Sequence, residues 1–254
     1  MDLLYEIAHC PNVQQCYNAS QATHPCSKII SVQKAANAKT LAQYQVPEPW
    51  NGDIQSAPIL FFSSNPSIDQ NQVIEKREEF PTESWSDELI ADFFTHRFSG
   101  GLQQWTESRK TLLLDGSYSS KPVSFWSSVR KRAGELLQRE VEDGVDYALS
   151  EVVHCKSKSQ IGVEEAVSEC ASRYLRRVIE FSGAKVVVVL GKHAEKAVKK
   201  EFDFADENMI GPLLIGKLQR YLVFLPHPAA FIPRTFEECL AKERIQVLRD
   251  FLHT

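Results

Sequence analysis

Apolar residues gather in four short runs, ILFF at 59–62, YAL at 147–149, VVVVL at 186–190 and YLVFL at 221–225. Such continuous runs are the kind that a parallel sheet buries on both faces, so each reads as a strand. Between them the period lengthens. SWSDELIADFFTHRF, SFWSSVRKRAGELLQREV and GVEEAVSECASRYLRRVIEFS space their apolar positions as helices do, with Ser86 or Asp87 placed to cap the first. A further helix, GKHAEKAVKKEF, follows the valine run at Gly191. This order from residue 58 onward predicts an α/β fold, a parallel sheet with helices on both faces.

Residues 1–50 differ. They are polar, rich in Ala, Gln and Asn, and end in VPEPWNGD, whose Pro and Gly should break regular structure. They are expected to form an N-terminal cysteine-bearing arm, helical in part, ahead of a domain over 51–254. Internal repeats and low-complexity stretches are absent.

Composition adds bounds. With 254 residues, 43% hydrophobic and 24% charged, the chain is long enough for one domain with a full core. A net charge of −4 neither advertises nor excludes a nucleic-acid partner, and the basic strips SVRKRAGELLQR, SRYLRRVIEF and GKHAEKAVKKEF read either as solvated faces or as phosphate contacts. No run approaches the length of a bilayer span, and MDLLYEIAHCPN lacks the order of a signal peptide, so no membrane partner and a cytoplasmic location are expected. In that compartment the six cysteines should be thiols or metal ligands.

Open α/β sheets place their sites beyond the carboxyl ends of the strands. There stand SSNPSID, EVVHC, LGKHAEKA and PHPAAF. No G-x-G-x-x-G or Walker pattern follows any strand, which argues against a nucleotide cofactor.

ILFFSSNPS, EVVHC with Cys170 a helix later, VVVVLGKHA and LPHPAAF, in that order over roughly residues 55–235, resemble the uracil-DNA glycosylase superfamily. The resemblance implies a three-layer α/β/α sandwich around a four-stranded, mainly parallel sheet. It implies a monofunctional DNA glycosylase that hydrolyses the bond between an unusual base and its deoxyribose; a monomer acting on DNA is expected. Such an enzyme swings the nucleotide out of the stack into a pocket. The pocket must hold a water, an aromatic shelf, groups that identify the base and a donor for the oxygen that gains charge.

By this resemblance Asn65 holds the attacking water. An amide cannot take the water's proton, which makes Asp69 a candidate helper carboxylate; the plainer reading is that Asn65 and Pro66 shape a turn. His227 matches the histidine that donates to the base oxygen O2. Phe231 or Ile232 would fill the vacated stack and Arg234 would touch phosphate, while Ala229 replaces the family's usual serine. Phe80 stands at the distance of the stacking aromatic, whereas Phe93, Phe94 and Phe98 suit the core.

Glu151 departs from the family. Relatives with EVVHC-like motifs carry an asparagine there that reads uracil. An ionised carboxylate would repel O4 of uracil and accept from the amino group of cytosine; a protonated one could also donate to cytosine N3. Ser67 stands near where strict uracil enzymes place a tyrosine against C5, so a C5 substituent has room. Together these point to a modified cytosine, such as the hydroxymethylated or glucosylated base of some phage DNA, and to anti-phage defence. Excision of uracil in repair, a non-catalytic DNA-binding module, and a Glu151 held in an ion pair are the alternatives.

Cys155 and Cys170 have fourteen residues between them, close to the spacing of the iron-sulfur branch. The resemblance therefore implies a 4Fe-4S cluster on four of Cys10, Cys16, Cys26, Cys155 and Cys170. Zinc, with His9 or His24 joining the thiols, or unligated thiols are the alternatives. Cys239 should be packing.

Overall fold

The apolar runs become the middle of one sheet. The computed structural model describes residues 2–19, 23–69, 71–205, 207–231 and 234–254. Along the chain run α1 (Asp2–Ala8), α2 (Pro11–Asn18), α3 (Ser27–Asn37), β1 (Trp50–Asn51), β2 (Ile59–Ser63), α4 (Asp87–His96), β3 (Thr106–Glu107), β4 (Lys110–Thr111) and α5 (Ser124–Leu137). There follow β5 (Tyr147–Glu151), α6 (Val163–Cys170), α7 (Arg176–Phe181), β6 (Val186–Leu190), α8 (Lys192–Phe202), β7 (Met209–Ile215), β8 (Leu218–Leu225), α9 (Phe236–Cys239) and α10 (Lys242–His253).

The sheet order is β1-β5-β2-β6-β8-β7, with β3 and β4 pairing apart from it. β5, β2, β6 and β8, the four strands read from the sequence, are parallel to one another. The sheet nevertheless has six strands rather than four, because β1 and β7 pair antiparallel on its edges. Both edges carry weak sequence signals. β1 is two residues long inside a Pro- and Gly-flanked stretch, and β7 is interrupted by Gly211 and Pro212, a proline tolerated only at an edge or a bulge.

Alternate strand residues face opposite layers. Leu60, Phe62, Val187, Val189, Leu222 and Phe224 meet α1, α3, α4, α7 and α8, while Ile59, Phe61, Val186, Val188, Val223 and Leu225 meet α5 and α10. Each such side chain, buried fully, contributes about 1.5–3 kcal/mol. The N-terminal helices belong to the first layer: Leu4, Ile7, Ile29 and Ile30 are buried in the same cluster as β2 and β6. α4 starts at Ser86, whose hydroxyl accepts from the N–H of Leu89 at 3.3 Å. A π-helical turn, Ala171–Leu175, joins α6 to α7.

Because the four central strands run one way, their carboxyl ends open on one edge of the sandwich. That edge carries the site.

Candidate active site

A cavity of about 340 Å³ lies across those strand ends. Its walls include Ser63 at the end of β2 with Ser64 and Asn65 just beyond it, Glu151 at the end of β5 with Lys156 beyond it, His227 beyond β8, and Phe125 and Trp126 from the first turn of α5. Asn65, Glu151 and His227, far apart in sequence, thus face one space.

Asn65 is half-buried. Its Nδ2 donates to the carbonyl of Pro66 at 2.8 Å, and its Oδ1 accepts from the Ser64 hydroxyl at 3.2 Å. It therefore shapes the turn and also borders the cavity. Asp69 is placed otherwise. Its two oxygens accept from the backbone N–H groups of Asn71 and Glu78, each at 2.9 Å, and it does not line the cavity. A carboxylate fixed on two amides pins the loop after β2, and the helper-base expectation for Asp69 is corrected accordingly.

The N–H of Ala229 donates to Nδ1 of His227 at 3.1 Å, which puts the proton of the neutral ring on Nε2. Burial, aided by the charge of Arg132, lowers the imidazole pKa and favours that neutral form. Phe125 stacks on the ring, with centroids 5.6 Å apart and planes 20° from parallel. Two guanidiniums clamp the loop on either side: Arg132 donates to the carbonyl of Pro226 at 3.3 Å and Arg234 to that of Pro228. Gly191 lets β6 approach. Its φ is +87°, and a Cβ there would lie 3.1 Å from the Cβ of His227.

Glu151 ends β5 and is 6% exposed. The Ser63 hydroxyl donates to its Oε2, and Oε1 has no protein partner among the described residues. Burial pushes its carboxyl well above the usual carboxylate range, the negative charge of Glu48 pushes it further, and only the Ser63 hydrogen bond opposes them. Beside it lies a buried ion network. Arg97 donates to Glu48 at 3.3 Å, to Asn51 Oδ1 at 2.8 Å and to Glu78, while Lys156 reaches Glu78 at 3.5 Å. Against the effect of burial, Arg97 and Lys156 hold the Glu78 carboxyl below its ordinary value. Two cations thus face two carboxylates, and Glu151 is the carboxyl here without a cationic partner among the described residues.

Phe80 does not reach the cavity. It is 3% exposed and packs edge-to-face on Phe93 and Phe94, at 5.1 and 5.7 Å, beneath the ammonium of Lys156 at 3.2 Å. The segment holding it enters the core just before α4, so the stacking expectation for Phe80 is corrected. The half-exposed aromatic on the cavity wall is Phe125, whose only hint in the sequence is SFW at a helix start. Ser67 sits exposed at the rim and forms a parallel bridge with Ser157, and Gln160 donates to Ser64 at 3.4 Å across the same wall. Phe231 is fully exposed and Arg234 is exposed beyond it. Ile232, the alternative wedge, lies outside the described residues.

Four cysteines share a second, small cavity between the N-terminal helices and the end of β5: Cys10, Cys26, Cys155 and Cys170. Cys16 does not line it and instead accepts from the Ser27 hydroxyl at 3.7 Å. Burial, reinforced by neighbouring thiols, pushes Cys26 up to about 12 and raises Cys155 and Cys170 as well. Among the described residues no three His, Cys, Asp or Glu side chains are placed to hold a single metal ion. Cys239 packs at the edge of the α5–α10 core, as its apolar surroundings suggested.

The two cavities adjoin through two backbone segments. Pro47 and Cys155 border the cysteines, and their chain neighbours Glu48 and Lys156 border the larger cavity. Between them the N–H of Glu48 donates to the carbonyl of His154 at 2.8 Å, and His154 Nδ1–H donates to the carbonyl of Glu48 at 2.7 Å.

Residues 49–249 match the uracil DNA glycosylase superfamily. That span covers most of the chain and every strand of the sheet, so the chain belongs to this superfamily, whose members are generally DNA glycosylases. No curated protein sequence matches it. No helix among the described residues is long and apolar enough to cross a membrane.

Proposed function

We propose that the protein is a monofunctional DNA glycosylase that extrudes a modified cytosine and hydrolyses its glycosidic bond. The observation that carries this reading is the buried carboxyl of Glu151, held by the Ser63 hydroxyl and without a cationic partner among the described residues, on the wall it shares with Asn65 and His227. In its neutral form Oε1–H donates to N3 of cytosine, while Oε2 accepts from the exocyclic amino group. Uracil presents N3–H and O4 on that edge, which the carboxyl would meet only with its proton on Oε2, the oxygen that already accepts from Ser63.

The chemistry then follows from the donors present. As the bond between C1′ and the base nitrogen breaks, its electron pair stays with the base and charge builds on O2. The Nε2–H of His227 faces that charge, held by Ala229 and Phe125 so that little reorganisation is needed. A water on Oδ1 of Asn65 attacks C1′ of the oxocarbenium-like sugar and releases its proton to solvent. Phe125 is the aromatic wall for the flipped base, and Phe231 fills the gap left in the duplex. Ser67 and Ser157 leave the C5 side open to a hydroxymethyl or glucosylated group. An enzyme for such bases serves defence against phage rather than repair.

The four thiols that line the cysteine cavity, Cys10, Cys26, Cys155 and Cys170, support a 4Fe-4S cluster as the bound group. All four donors are thiols, the ordinary ligands of such clusters. When bound, the cluster cross-links the N-terminal helices to the end of β5.

The test is to incubate the protein with duplexes containing uracil, cytosine, hydroxymethylcytosine or glucosylated hydroxymethylcytosine and to score alkali-labile abasic sites. Cleavage at a modified cytosine supports the reading. Cleavage at uracil alone overturns the specificity, and inactivity on all four favours a binding module.

A further inference from the structure

Glu48 stands just outside the span matched to the superfamily, yet it lines the base cavity. It is 6% exposed and fixed from four directions. Asn51 donates to its Oε1 at 2.5 Å and Arg97 to its Oε2 at 3.3 Å, while His154 holds its N–H and its carbonyl. So many bonds leave its carboxylate a single position. That position is beside the end of β5, since Trp50 and Asn51 pair antiparallel with Ser150 and Leu149 and the carbonyl of Pro49 accepts from the Ser150 hydroxyl at 2.7 Å.

We propose that Glu48 is the positioning residue for Glu151: its immobilised carboxylate keeps the neighbouring Glu151 carboxyl in the hydrogen-bond-donating form that the base edge meets. The inference rests on the proposed base-reading role of Glu151 and adds the group that sets its protonation. Charged and titratable groups around Glu151 are Glu48 ahead of β1, Glu78 ahead of α4, Arg97 just after α4, Lys156 beyond β5 and His227 beyond β8. Arg97 is engaged by Glu48 and Glu78, and Lys156 by Glu78. Neither cation is left to neutralise an ionised Glu151, which would become a third carboxylate in a network balanced at two and two. Removing the Glu48 charge reverses this. The network then carries a surplus cation, and ionised Glu151 restores the balance.

The experiment follows the Glu151 carboxyl directly, by carbon-detected NMR titration of the full chain labelled in its glutamates, with the signal assigned by its loss in Glu151→Gln. In the unsubstituted protein Glu151 is expected to remain protonated at neutral pH, and in Glu48→Gln its titration should move to lower pH. Glu48→Asp, which keeps the charge, should leave Glu151 protonated at neutral pH and serves on its own if Glu48→Gln does not fold. An unmoved titration in Glu48→Gln, or ionisation at neutral pH in Glu48→Asp, overturns the proposal. Excision by Glu48→Gln should show an alkaline limb displaced to lower pH, and no such displacement in the Glu151→Gln background. Because the NMR titration needs no substrate, failure of the glycosylase reading, seen as inactivity on all four duplexes, is distinguishable from failure of this one.

Discussion

The backbone N–H of Ala229 donates to Nδ1 of His227 at 3.1 Å, so the imidazole offers its Nε2 proton to whatever occupies the cavity. The serine usual in family loops is Ala229 here, yet the bond uses its backbone and does not depend on the side chain.

His227→Ala should therefore reduce the single-turnover rate by about 10²–10³-fold, the range for removing one preorganised donor from a developing anion. DNA binding should change far less. Because burial and Arg132 lower the imidazole pKa, the rate of the unsubstituted enzyme should show no inflection at the ordinary histidine value of 6.5. Rapid-quench measurements across the pH range check both outcomes.

Glu151→Gln should stabilise the protein at neutral and alkaline pH. The folded-state pKa of Glu151 is raised above the unfolded value, so the folded chain binds the proton more tightly. Its contribution is fully present below the unfolded pKa and is lost as pH rises through the folded pKa. The glutamine never ionises and escapes that loss. Melting temperatures of the two proteins should converge in acid and separate as pH rises; a constant difference would refute the burial of a protonated carboxyl.

The cysteine cavity separates the five candidate ligands. Protein purified without oxygen should be brown and carry about four irons per chain. Cys155→Ser should lose the iron and melt earlier, while Cys16→Ser should keep it, because Cys16 lies off the cavity and against Ser27. Iron and sulfide analysis of the two variants settles the ligand set.

Phe231 is fully exposed on the loop that carries His227. Phe231→Ala should slow excision from duplex DNA on the order of tenfold or more, since unstacking a base costs a few kcal/mol and a wedge offsets part of it. Excision from single strands should be nearly unaffected. A fluorescent base beside the target reports the flipping step.

Much of this was legible in the sequence, and for a physical reason. Strands buried on both faces leave unbroken apolar runs, so the four parallel strands and the residues at their ends could be placed, and Asn65, Glu151 and His227 do share a cavity. Residues whose role depends on long-range packing were not legible. Nothing near Phe80 announces that it points into the core with Phe93 and Phe94, or that Asp69 is held by two backbone amides. Glu48, Glu78, Arg97 and Lys156 form one network only because β1 adds antiparallel to β5, and a two-residue strand leaves no periodic trace.

The most direct test of the central claim is a swap of base preference at Glu151. Single-turnover excision of a modified cytosine and of uracil is measured for the unsubstituted protein and for Glu151→Asn. The unsubstituted enzyme should favour the cytosine derivative, and the asparagine should move the ratio toward uracil by roughly tenfold to a hundredfold, from about 1–3 kcal/mol of base-edge discrimination. A preference for uracil from the outset, or a ratio that Glu151→Asn leaves unchanged, contradicts it.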